Sequence, residues 1–254
     1  RVSAVTGEGI HELKEKIARL ISAAENSRHI IADLISPRDV IVLVVPIDSA
    51  APKGRLILPQ QQTIRDILEA GAMPIVCRDT ELTATLNSLA VKPRMVVTDS
   101  QAFGKVDKLT PPDIPLTSFS ILFARYKGIL MQTVRGAKNL LSVRDGDRIL
   151  ISEGCTHHRQ CEDIGTVKLP AWIRNYTKAE PIFEFSSGGD FPDSLRKYKL
   201  VIHCGGCMLT EREMRARLRK CTDTDTPITN YGIAIATMNG ILVRALEPFP
   251  EYAD

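Results

Sequence analysis

The chain begins with one hydrophobic period and then changes to another. Between Arg1 and about Ser27, Ile10, Leu13, Ile17, Leu20 and Ile21 recur at helical spacing behind the polar run Ser3-Ala4-Val5-Thr6-Gly7-Glu8-Gly9. That spacing predicts a helix with one apolar face. From Asp39 the apolar residues run together instead. Val40-Ile41-Val42-Leu43-Val44-Val45 is unbroken and β-branched, as expected of a strand buried on both faces. Gln60 to Ala70 returns to helical spacing, with Ile64, Ile67 and Leu68 inward and Gly71 as the stop. Then follow a short strand Pro74–Cys77, a helix Leu82–Leu89, a strand Met95–Thr98, a helical turn Ala102–Val106 and a fourth strand Leu116–Ile121. Strands alternating with helices predict βαβ units and a mostly parallel sheet.

The pattern beyond Leu122 is of the same kind. Phe123 to Leu141 reads as one helix, and strand Arg148–Ser152 leads to Cys155. Asp163 to Tyr176 is loop and helix, Ile182–Phe185 a strand, and Ser186–Pro192 a turn. Strand Lys199–His203 runs into Cys204-Gly205-Gly206-Cys207, followed by a basic helix from Glu211 to Lys220. Tyr231–Ala236 and Ile241–Leu246 complete the unit, and no repeat of fixed period is visible. The expected fold class is α/β: two small βαβ-type domains with mostly parallel sheets, residues 29–121 and 122–254, behind a separate opening segment, residues 1–28.

Composition narrows the function classes. With 254 residues, 44% hydrophobic and 25% charged, the chain is of ordinary globular composition. A net charge of +3 is too small to argue for nucleic acid. No apolar run reaches membrane-spanning length, and the polar opening is not a signal peptide. Four of the six cysteines, Cys155, Cys161, Cys204 and Cys207, lie near two turns. That favours a reducing, cytoplasmic setting and a metal role over a disulfide framework. Asp48, Asp79 and Asp99 follow apolar strands, where capping of the next loop or helix is the favoured role. The first small parallel sheet has edges that a second copy could cover, which points to a homodimer.

The chemistry gathers where two strands end in cysteine. In an open α/β sheet, ligands collect beyond the carboxyl ends of the strands, so Cys155, Cys204 and Cys207, with His157 and His203, can share one edge. A Cys-x-x-Cys turn lets two thiolates hold one ion or cluster, and a following helix N-terminus stabilises thiolate. Spacing leaves three readings open. One is a four-iron cluster on Cys155, Cys204 and Cys207 with a non-cysteine fourth ligand. Another is structural zinc on Cys155, His157, Cys204 and Cys207. The third is a thioredoxin-like dithiol oxidoreductase built on Cys204 and Cys207. Cys77 and Cys221 are expected to be inert buried thiols, and Cys161 is an extra thiol in the loop.

Cys155-Thr156-His157 and His203-Cys204-Gly205-Gly206-Cys207 together resemble the Cys-x-His…His-Cys-x-x-Cys signature of the HydF family of [FeFe]-hydrogenase maturation. Glu153–His158, Asp163–Pro170, Thr229–Gly232 and Leu34–Asp39 extend the resemblance over nearly the whole chain. Ser3-Ala4 and Thr6-Gly7-Glu8-Gly9-Ile10 resemble the end of a Ras-like GTPase domain, while no G-x-x-x-x-G-K-[ST] phosphate loop is present. The resemblance implies a GTPase remnant (1–28), a dimerisation domain (29–121) and a cluster-binding domain (122–254). It implies a scaffold that carries a [4Fe-4S] cluster and a diiron precursor, works with radical-SAM maturases and delivers to apo-[FeFe]-hydrogenase. Cys155, Cys204 and Cys207 become the cluster ligands, with His157, Glu162, Asp163 or His203 as possible fourth ligand. GTP belongs to the missing part, so this chain is expected to have no enzymatic activity of its own.

Overall fold

A computed structural model describes residues 1–25, 28–47, 56–154 and 164–252. The opening helix α1 (Ile10–Glu25) forms as its spacing predicts. Its Leu13 and Ile17 remain largely exposed. Behind it stand two four-stranded sheets, every strand pair parallel.

The first sheet holds β1 (Val40–Val44), β2 (Met73–Cys77), β3 (Met95–Thr98) and β4 (Leu116–Ser118), in the order β2-β1-β3-β4. Helices α2 (Leu58–Glu69), α3 (Leu82–Ser88) and α4 (Phe103–Leu109) make its crossovers. Every residue of β1 is buried, because helices cover both faces of a parallel sheet. The second sheet holds β5 (Arg148–Glu153), β6 (Ile182–Ser187), β7 (Leu200–His203) and β8 (Ile228–Asn230), in the order β6-β5-β7-β8. Its connections carry α7 (Leu169–Thr177) and α8 (Glu211–Asp223). Leu150 and Val201 face a core continuous with the first unit, while Ile149, Ile151, Leu200 and Ile202 face a second core.

The two sheets share one topology, and the likeness reaches into the sequence. Leu116-Thr117-Ser118 and Ile228-Thr229-Asn230 are the two last strands, each running directly into a helix: α5 (Phe119–Tyr126) and α9 (Tyr231–Met238). Ser118 Oγ accepts from the Ile121 amide at 3.3 Å, and Asn230 Oδ1 from the Ile233 amide at 2.8 Å. Both side chains are N-caps. The helices end at Gly128 and Gly240, with φ of 68° and 71°. Each glycine is followed by Ile-Leu and another helix, α6 (Leu130–Ala137) or α10 (Leu242–Leu246). Even the buried Thr117 and Thr229 hydroxyls match, both without a hydrogen-bond partner among the described residues. The molecule is thus an internal duplication that sequence periodicity did not disclose.

The duplicated units also exchange helices. A Cβ on Gly136 of α6 would lie 1.9 Å from the Ile228 carbonyl oxygen of β8, so α6 of the first unit rests on the second sheet. In turn α10 packs beside β4. Its Arg244 donates to Asp107 Oδ1 at 2.8 Å, Thr110 O at 3.0 Å and Pro111 O at 2.7 Å. At the centre α5 meets α9 closely, since a Cβ on Gly232 would lie 2.3 Å from Ser120 Cβ.

Two sequence expectations need correction here. The fourth strand stops at Ser118 rather than Ile121, because Ser118 caps a helix. The expected single helix Phe123–Leu141 is two helices, broken at Gly128. Among the described residues no helix is long and apolar enough to cross a membrane.

Candidate metal centre

In both sheets the strand order reverses direction between the first and third strands, the place where ligands gather in such folds. In the second sheet these strands are β5 and β7. Strand β7 delivers Cys204 and Cys207, and β5 ends one residue before Gly154, with Cys155 next in sequence. The two ends touch: the Gly154 amide donates to Cys204 Sγ at 3.1 Å. The Gly206 amide donates to the same sulfur at 3.3 Å. Gly206 has φ of 60°, a left-handed conformation that suits glycine. A Cβ there would also lie 2.7 Å from Met214 Sδ. Cys204 and Cys207 are half-buried, and no disulfide joins them.

The turn closes before the helix begins. The Leu209 amide donates to Gly206 O at 2.9 Å, and Thr210 caps α8 by accepting from the Glu213 amide at 3.2 Å. The expected stabilisation of the thiols by a helix N-terminus is therefore replaced by turn amides. Burial pushes the Cys207 thiol up, and the neighbouring Cys204 adds to this. A nucleophilic dithiol needs the opposite shift.

Two basic residues that sequence reasoning passed over shape this edge. Lys127, just past α5, is only 5% exposed. Its ammonium donates to Gly206 O and, at 3.4 Å, to Leu209 O. Burial pushes this ammonium down, while Cys207 and Cys204 draw it back up. Arg217 of α8 is 3% exposed. It donates to Glu213 Oε1 at 2.9 Å, to Gly188 O at 2.6 Å and to His203 Nε2 at 2.9 Å, and stacks over Phe191. A guanidinium can only donate, so His203 Nε2 accepts and its Nδ1–H donates to Cys204 O, 2.7 Å away.

The expectation that His203 could be a fourth ligand thus meets a different arrangement. Both ring nitrogens are occupied, and the ring holds the Cys204 backbone. Cys155, His157, Cys161, Glu162 and Asp163 lie outside the described residues. Among the described residues no three His, Cys, Asp or Glu side chains converge as a metal-holding group. Cys77 and Cys221 are buried as expected, and burial pushes the Cys221 thiol up to about 12. Of the three aspartates, Asp79 accepts from Lys105 at 2.7 Å and Asp99 from Gln60 Nε2 at 2.7 Å. Asp99 makes no side-chain cap, and Asp48 lies outside the described residues.

The donor set fits an anionic, thiolate-held group. Two soft sulfurs sit on one turn, two amides point at one of them, and a buried ammonium adjoins both. Fold and site together define a duplicated, parallel α/β protein with a cysteine pair at the switch point of its second sheet. Comparison with known families places it further. The hydrogen maturase F dimerization domain matches residues 30–128, and the hydrogen maturase F tetramerization domain matches residues 131–248. The chain belongs to the hydrogen maturase F family. No curated protein matches it. Among solved structures, an NtrC family transcriptional regulator from Clostridium acetobutylicum aligns at 12% identity over 82% of this chain and 98% of its own, with a TM-score of 0.25. That likeness is too low to carry an argument. Both matched domains are named for self-association, and the second name reaches beyond a dimer.

Proposed function

We propose that the chain is an iron–sulfur scaffold of [FeFe]-hydrogenase maturation, with Cys204, Cys207 and Cys155 as ligands of a [4Fe-4S] cluster. The observation that carries this reading is the 3.1 Å contact between the Gly154 amide and Cys204 Sγ. It fixes the strand end that leads into Cys155 beside the cysteine turn. Family membership supplies the biological setting, and the soft sulfur donors supply the chemistry, since such clusters favour thiolates. The cluster, when bound, supplies an iron with a displaceable ligand at which a diiron precursor can be held for an apo-hydrogenase. The chain's own residues hold the turn through Lys127 and fix the Cys204 backbone through His203.

The fourth ligand is a non-cysteine group in this reading, His157 ahead of Glu162 or Asp163, with Cys161 last. A fourth thiolate binds too firmly for a carrier that must release its load. His203 now ranks below these, because Arg217 and Cys204 O occupy its nitrogens. Anaerobically reconstituted protein is expected to be brown, with a thiolate-to-iron charge-transfer band in the visible. Added imidazole is expected to reach iron in pulsed EPR. No ligand coupling, together with cluster loss in Cys161→Ala, contradicts the exchangeable ligand.

Residues 1–28 are taken as the end of a GTPase domain. The exposed Leu13 and Ile17 on α1 support a helix whose apolar face is covered by such a domain. The homodimer is assigned to the β2 edge of the first sheet. There Met73 and Val76 are exposed on a strand type that is ordinarily buried. The radical-SAM maturases and apo-[FeFe]-hydrogenase remain the proposed partners.

A further inference from the structure

Lys127 stands out in the site because the thiol-bearing unit does not supply it. It follows α5, the helix that continues the first sheet, and reaches into the cysteine turn of the second. The duplication provides an internal control. Counted from the matching strands, caps and Gly-Ile-Leu turns, the counterpart of Lys127 is Asn239, each directly before its glycine. Asn239 lies against Gly104 of the first unit, where a Cβ would come within 3.0 Å of its Oδ1. Lys127 instead donates to the Gly206 carbonyl of the cysteine turn. One half of the duplication therefore puts a neutral amide beside helix α4, where it donates to Ile235 O at 2.8 Å, and the other half puts a buried ammonium over the turn that carries two cysteines. Among the described residues no carboxylate pairs with Lys127. Its contacts are two carbonyl oxygens of the turn, and Cys207 and Cys204 of that turn act on it electrostatically. A buried ammonium is costly unless hydrogen-bonded and matched by negative charge.

We propose that Lys127 is a positioning residue for the cysteine pair: it clamps the Gly206–Leu209 turn through two carbonyls and lays a fixed positive charge beside the sulfurs. The charge half of this inference rests on the cluster reading above, and the clamp half does not. Reduction adds an electron to a thiolate-bound cluster, so a neighbouring cation favours the reduced form and raises the potential. The arrangement also ties the thiol site mechanically to the first unit.

The test uses the whole chain with Lys127→Met, an unbranched neutral replacement, and Lys127→Arg, which keeps the charge. In metal-free protein, hydrogen exchange at the amides of residues 206–209 is expected to quicken by about tenfold in Lys127→Met, as local opening becomes easier. In reconstituted protein, iron loss to a chelator is expected to quicken by a similar factor, about tenfold. The reduction potential is expected to fall in Lys127→Met and to return toward wild type in Lys127→Arg. If Lys127→Met does not fold, Lys127→Gln takes its place with the same expected directions. Exchange within about twofold of wild type overturns the clamp. A potential that moves as far in Lys127→Arg as in Lys127→Met overturns the charge role. Wild-type protein that takes up no cluster at all defeats the scaffold reading instead, while the exchange measurement still decides the clamp.

Discussion

At the residue scale, the cysteine turn was legible and its supports were not. A β-branched run ending in Cys-x-x-Cys is a local signal, and Cys204 and Cys207 stand where it put them, at the end of β7. Lys127 and Arg217 gave no such signal. A lysine before a glycine, or an arginine in a basic helix, reads as a solvated charge. Each is buried here only because a distant segment covers it: the cysteine turn over Lys127, and the Gly188 loop with His203 around Arg217. Arg217→Met removes donors from Gly188 O and His203 together. It is expected to destabilise the fold by roughly 1–3 kcal/mol in urea unfolding. Cys221 marks the opposite case, a thiol with packing and no chemistry. Thiols react as thiolates, and burial holds this one neutral up to about 12. Its alkylation at pH 8 is expected to be slower than that of an ordinary cysteine by on the order of a thousandfold, until denaturant is added. Rapid labelling of Cys221 in the native chain, read by mass spectrometry, contradicts this.

At the element scale, unbroken apolar runs marked β1, β3 and β7 well, because strands buried on both faces have no polar face to confuse the period. The reading failed at β4, where Ser118 turns strand into helix within one residue. The edge strands behave differently from the centre. On β6, Glu184 accepts from Arg148 of β5, from Lys197 at 2.7 Å and from the Tyr198 hydroxyl at 2.7 Å. The Lys197 contact leads in holding its carboxyl down at about 2, against an ordinary 4.5. A carboxylate depressed in the folded state stabilises above its unfolded value and loses that contribution as pH falls through the folded one. Wild type is therefore expected to exceed Glu184→Gln in stability above about pH 5. The gap is expected to narrow as pH falls toward about 2, and to stay under about 1 kcal/mol because solvent screens the group. A gap that widens on acidification contradicts the assignment. On β2, Val76→Lys puts a charge on the exposed edge, where Val76 is 46% exposed. If that edge joins two copies, light scattering at micromolar concentration is expected to show the assembly falling to a smaller mass. An unchanged mass assigns self-association elsewhere.

At the scale of the whole molecule, the fold class was legible and the duplication was not. Alternating strands and helices implied parallel sheets, and two such sheets are present. The duplication hides because few identities survive: Thr117 with Thr229, Ile121 with Ile233, Ala124 with Ala236, and Gly128-Ile129-Leu130 with Gly240-Ile241-Leu242. What persists between them is burial class and cap geometry, which a residue-by-residue period does not register. Packing of α6 on β8 and of α10 beside β4 ties the two sheets together. These 254 residues contain no G-x-x-x-x-G-K-[ST] phosphate loop. The chain is expected to bind no GTP in equilibrium dialysis, and tight binding contradicts the remnant reading. The central claim is that Cys204, Cys207 and Cys155 hold an iron–sulfur cluster. It is tested most directly by iron and acid-labile sulfide analysis of anaerobically reconstituted protein beside its Cys204→Ala variant. The account predicts about four iron and four sulfide per chain in the wild type and loss of both in the variant; full retention of iron and sulfide by Cys204→Ala contradicts it.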